Sequence, residues 1–150
     1  MDDADRRILR AIQDDPDITM RALGEMTGLS HTPCWRRLQR MRDEGIIGDK
    51  RYILNPEALG FELVVFCSVK MKEHSRDSLL EFERAVVRVP EVLQCYTVTG
   101  EYDYILRVLA RNVRDYEDTV KNALVELPHV ALLSTSLTLN EIKNTTHIPV

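Results

Sequence analysis

Cysteine is scarce in this chain and scattered where it occurs. Cys34, Cys67 and Cys95 are odd in number and share no CxxC spacing, so neither a structural zinc site nor a disulfide framework is expected. His74, His129 and His147 form no cluster with ligand spacing, so no metal and no resident cofactor is expected either. Long apolar runs are missing as well. No segment approaches the roughly 20 residues that span a bilayer, and the opening stretch MDDADRRILR lacks the apolar core of a signal peptide. Low-complexity tracts are absent. These absences lead us to expect a cytoplasmic protein with no membrane partner.

What is present is the composition of a globular chain, with 44% hydrophobic and 29% charged residues over 150 positions. That length has room for two small domains. The net charge of −4 argues at first against a polyanionic partner, but the distribution of charge points the other way. Residues 1–51 hold ten Lys/Arg against ten Asp/Glu, and residues 52–150 hold ten against fourteen. Within the neutral first part, RRLQRMR sets Arg36, Arg37, Arg40 and Arg42 on one helix. A phosphate responds to this local field rather than to the net charge.

The stretch TMRALGEMTGLSHTPCWRRLQRMRDEGII, residues 19–47, reads as two short helices joined at Gly28. Leu23, Met26 and Leu29 supply an apolar seam. Ser30 is the expected N-cap of the second helix, with Pro33 in its first turn. At about 100° per residue, Cys34, Leu38, Met41 and Gly45 face inward. Thr32, Arg36, Gln39, Arg40 and Asp43 face outward, with Trp35 on the flank. This is the layout of a helix-turn-helix whose second helix enters a major groove. A helix over 2–14 precedes it, marked by Ile8, Leu9 and Ile12.

Residues 46–61 read as a short strand and a turn at Asn55-Pro56, a wing and linker. Beyond them the pattern is β, α, β, β, α, β: strands at 63–71, 92–99, 102–110 and 130–139, and helices at 75–89 and 113–127. We expect domains at 1–47 (helix-turn-helix), 48–61 (wing and linker) and 62–150. The fold class is α+β, a winged helix-turn-helix followed by a ferredoxin-like domain with both helices on one side of an antiparallel sheet. The strands are apolar on both faces, whereas an open face should alternate with polar residues. A second copy of the same sheet is the simplest cover, so a homodimer is expected.

Over nearly its full length the chain resembles the leucine-responsive/AsnC (Lrp/AsnC) family of transcription regulators. The resemblance rests on DRRILRAIQDD, GLSHTPCWRRLQRMRDEGII, LNPEALGF, VTGEYDYILRV, LPHV, STSLTLNEIK and THIPV, in that order. It implies a RAM/ACT-like second domain, double-stranded DNA as partner, homodimers that assemble further into octamers, and an amino-acid effector. One departure lies after the third helix, where the family often has Gly-Tyr and this chain reads GDKRYIL. Lys50 and Arg51 there remain able to meet phosphate.

Side-chain chemistry gives the reader residues their expected roles. Arg36 and Arg40 can donate in pairs to guanine edges or clamp phosphates, and Gln39 can pair with adenine. Ser30, His31 and Thr32 sit at the helix N-terminus, which suits phosphate or base contacts. Arg37 lies between the two faces, as a reader or as a brace. Trp35 can pack on sugar or on the first helix. Cys34 beside His31 has no third orienting group and faces the core, so it is not read as a nucleophile, and no catalytic residue is expected.

TGEYDY at 99–104 reads at minimum as a hairpin turn at Gly100. It adds an exposed carboxylate, Asp103, and a phenol, Tyr104. The family resemblance implies an effector pocket here, with Gly100, Asp103 and Tyr104 joined by Thr135 and Ser136. The sequence thus reads as a metabolite-modulated regulator. A DNA-compacting architectural protein and a regulatory subunit of a metabolic enzyme are the alternatives from other classes.

Overall fold

The computed structural model describes residues 1–150 and divides into two compact units, Met1–Ile53 with Lys143–Val150, and Leu54–Ile142. In the first unit, helix α1 spans Asp3–Asp14, α2 Met20–Thr27 and α3 His31–Asp43. α1 opens with a capping box in which Asp2 and Asp5 each accept from the other's backbone N–H, satisfying two donors that a helix start leaves orphaned. Ile8, Leu9, Ala11, Leu23, Cys34, Leu38 and Met41 are buried together as the core.

The α2–α3 turn is tighter than the sequence pattern alone suggests. Gly28 takes φ 70°, and the Leu29 N–H donates to the Gly24 carbonyl at 3.0 Å. Met26, expected in the apolar seam, is 62% exposed. Buried Thr27 takes the inward position, its hydroxyl donating to the Leu23 carbonyl. Gly45 is also exposed rather than inward. It lies beyond the last helical turn with φ 71°, the left-handed residue that ends the helix.

The strand expected after α3 does not form, and residues 46–53 contain no sheet. Asp49, Lys50 and Arg51 have no apolar alternation to pair, and Lys50 instead forms an ion pair with Asp17. The Asn55 side chain then accepts from the Ala58 N–H within the 3₁₀ turn Glu57–Leu59.

The second unit contains β1 (Leu63–Met71), α4 (Arg76–Val86), β2 (Val92–Thr97), β3 (Tyr104–Ala110), α5 (Val113–Thr119) and β4 (Val130–Leu137). The strands form one antiparallel sheet in the order β2-β3-β1-β4. A π-helical turn, Val120–Leu124, carries α5 onward, so the second helix is irregular over its last part. Alternate residues Val65, Cys67, Val69 and Met71 of β1 and Tyr104, Leu106, Val108 and Ala110 of β3 are buried against Phe82, Val86, Tyr116 and Leu124. The other face shows Phe66, Tyr96 and Leu132 to solvent at 39%, 56% and 51%. Both helices therefore cover one side, as expected. The expectation of one domain over 62–150 differs from the structure at its end, since Lys143–Val150 packs with the first unit.

Candidate DNA-reading and effector sites

α3 presents its N-terminus and one flank to solvent. Ser30 is the N-cap residue, and its side chain makes no cap hydrogen bond, so its hydroxyl remains free beside the exposed N–H groups of the first turn. His31, Thr32, Trp35 and Arg36 are all exposed. Trp35 at 49% exposure is not a packing residue of the bundle. Arg36 takes no part in the ion pairs that hold its neighbours.

Arg37 and Arg40 are committed elsewhere. Arg37 reaches Asp2 at 2.7 Å and Asp5 at 2.8 Å, and Arg40 reaches Asp5 at 2.7 Å. Asp5 is 1% exposed. Burial by itself would raise its carboxyl pKa, but the Asp2 N–H and the two guanidinium groups outweigh it and bring the value to about 2. Two of the four arginines of RRLQRMR therefore brace α3 against α1. The sequence suggested this for Arg37. It did not suggest it for Arg40, because nothing in the spacing of α3 shows that Asp5 lies opposite. Gln39 is likewise held, its amide donating to Asp43 at 2.9 Å. Cys34 is fully buried, and burial pushes its thiol pKa up, which removes it from nucleophile chemistry.

In the second unit, Gly100 adopts φ 119° at the β2–β3 hairpin. Asp103 is stitched in on all sides. Its Oδ2 accepts from the Met71 N–H at 2.7 Å, its Oδ1 lies 2.7 Å from His74 Nε2, and its own N–H donates to the Val69 carbonyl. The Met71 N–H, then His74, hold its carboxyl below the ordinary range. His74 was not singled out by sequence. Its position just past the end of β1, the strand that pairs with β3, was the available signal.

The Asp103 carboxylate, expected to be exposed, keeps only 22% of its side chain open, and Tyr104 is 2% exposed. It alternates onto the helix-covered face, its ring centroid is 4.5 Å from that of Phe82, and its hydroxyl donates to Glu83 at 3.0 Å. Burial and Glu83 push its pKa up to about 12. Thr135 pairs with Cys67 and Ser136 with Phe66, so the two lie on opposite faces of β4. The Thr135 hydroxyl lies 2.7 Å from that of Tyr116. β1 stands between Asp103 and β4, a separation of roughly 10 Å across two strand spacings. Within one chain these residues do not converge on a single cavity.

The Lrp/AsnC ligand binding domain model matches residues 64–148, and a winged helix-turn-helix DNA-binding model matches 1–47. The chain is similar to the DNA-binding transcriptional activator DecR of Escherichia coli K12, at 35% identity over all of this chain and 99% of that protein. The chain belongs to the Lrp/AsnC family. Lrp/AsnC-type structures superpose closely on it. A crystal structure of an AsnC family transcriptional regulator from Agrobacterium tumefaciens matches with TM-score 0.94 and 34% identity, covering 99% of this chain and 97% of that one. A Neisseria meningitidis transcriptional regulator, solved as an L-Met complex, matches with TM-score 0.93 and 33% identity, covering 99% and 96%. The Lrp/AsnC match thus takes in both the helix-turn-helix and the βαββαβ unit.

Proposed function

We propose that this chain is a transcription regulator that reads duplex DNA with α3 and answers to an amino acid through its C-terminal domain. The observation that carries the first half is the free, exposed edge of α3, where Ser30, His31, Thr32, Trp35 and Arg36 stand clear of the bundle. Arg36 suits a guanine edge, and the N-terminal hydroxyls and N–H groups suit phosphate. Arg37 and Arg40 position the helix through Asp5, and Gln39 reaches a base only by leaving Asp43.

The effector half is supported by family membership and by the L-Met bound to the Neisseria relative. Gly100, Asp103, Thr135 and Ser136 are the residues we assign to it, with Tyr104 as the buried post under the loop. Because they do not converge within one chain, we assign the pocket to a contact between copies. The open sheet face, where Phe66, Tyr96 and Leu132 are interspersed with Ser68, Arg107 and Ser136, is the surface we assign to a homodimer, and octamers of such dimers would follow from further contacts. Effector binding at an assembly contact would then change how many readers meet DNA together. No helix is long and apolar enough to cross a membrane, and the cytoplasm is the compartment we propose.

Fluorescence anisotropy on the chain's own promoter region, with and without each common amino acid, tests the reading. Preference for that region over bulk DNA, altered by at least one amino acid, is the expected result. A flat response across sequences at physiological salt would replace it with an architectural role.

A further inference from the structure

One face of α1 is occupied by chain from the other end of the sequence. Arg10, Gln13 and Asp14, at helical spacing on a common face, each meet residues 147–150. Gln13 is used twice: its Oε1 accepts from the Ile148 N–H at 2.7 Å and its Nε2 donates to the Ile148 carbonyl at 3.1 Å. Arg10 Nε donates to the Val150 carbonyl at 2.6 Å, and His147 Nδ1 lies 3.6 Å from Asp14 Oδ1. Pro149 fixes its own φ between these anchors and lowers the entropy lost on docking.

Apolar contact adds to the polar grip. Val150 is half-buried against the core that contains Ile8 and Leu23. Ile148 and Val150 also form one wall of a half-open cleft of about 900 Å³, whose other walls include Leu9, Ile12 and Ile47. The ligand-binding family model runs to residue 148 and so takes in His147 and Ile148, while by packing the whole of 143–150 groups with the first unit.

We infer that the α1 face of Arg10, Gln13 and Asp14 is a docking site for the chain's own segment 147–150. The docked segment, held by hydrogen bonds and apolar contact, gives the reader a second, non-covalent tether to the second domain, through β4, besides the linker at 48–61. It is a strap and not a plug, because it lies on α1 and leaves Ser30, Thr32 and Arg36 exposed. It operates whether or not α3 reads sequence and whether or not an amino acid binds.

Hydrogen exchange on the full chain tests the docking. The Ile148 amide is expected to exchange about tenfold more slowly than in Gln13→Ala, with buried α1 amides unchanged between the two. Exchange of that amide at the unprotected rate in the unmodified chain overturns the docking. Asp14→Cys/His147→Cys distinguishes the source. A disulfide that leaves the chain monomeric on a denaturing non-reducing gel supports docking of the chain's own segment, and a linked dimer overturns it. Deletion of 148–150 tests the tie. The reader is expected to tumble more independently by ¹⁵N relaxation, and unchanged tumbling overturns the second tether.

Discussion

Arg40 on the third helix donates at 2.7 Å to Asp5 on the first, a carboxylate that is 1% exposed. The relationship links function to folding. The guanidinium that helical spacing offers to DNA shares with Arg37 the neutralisation of a buried carboxylate.

Acid should unfold the reader in a defined window. The Asp5 carboxyl sits at about 2 in the folded chain against an ordinary 3.8, so the unfolded chain takes up its proton first. The stabilisation is complete above about pH 4 and is lost as pH falls toward 2, a contribution on the order of 1–2 kcal/mol after screening around the part-exposed arginines. Circular dichroism from pH 5 to 2 should show this loss. Asp5→Asn should flatten the profile and lower stability at pH 7.

Arg36→Ala and Arg40→Ala should separate. The first should weaken DNA binding by about 1–3 kcal/mol with the melting temperature unchanged. The second should lower the melting temperature, because Asp5 loses a partner. Equal effects of both on DNA, with neither altering stability, would contradict the division of labour.

Gly24→Ala should be poorly tolerated. A Cβ there would sit 2.7 Å from the Leu29 carbonyl oxygen, a backbone atom that cannot step aside. A loss of about 1–3 kcal/mol in the reader is expected by chemical denaturation, whereas Glu25→Ala on the same helix should be near neutral.

Phe66→Glu places a charge at the centre of the open sheet face. On the proposed homodimer, sedimentation should show the unmodified chain as a dimer and Phe66→Glu as a monomer at the same concentration. An unchanged sedimentation coefficient would remove that face as the interface.

Asp103→Ala leaves the Met71 N–H and His74 without their acceptor. A stability loss of about 1–2 kcal/mol is expected, with the amino-acid response abolished. His74→Ala should keep most of the stability, since the backbone bond to Met71 survives. A full amino-acid response in Asp103→Ala would place the effector elsewhere.

Much of the fold is legible in the sequence because periodicity and punctuation are local signals. β1 is readable to the residue from its continuous β-branched and apolar run, and α3 from Ser30, Pro33 and the inward row Cys34, Leu38 and Met41. The departures have local causes too. Met26 lies at the right spacing for the seam but at the last turn of α2, where Thr27 turns inward. No wing strand forms, and Lys50 pairs with Asp17 instead. Asp103 sits at a loop, which suggests exposure, but the Met71 N–H and His74 hold it, and strand parity buries Tyr104 beside it. Arg40, His74 and the strap at 147–150 depend on residues far apart in sequence, which spacing along one helix or strand cannot register.

The internal neutralisation of Arg37 and Arg40 also bears on how such a protein finds its target. A reader that commits two arginines to its own carboxylates holds arbitrary phosphate weakly, and it dissociates quickly from the vast excess of wrong sites. In the proposed assembly, residence would then be long only where several readers land on correctly spaced half-sites at once. Few free charges make the search fast and leave selectivity to geometry.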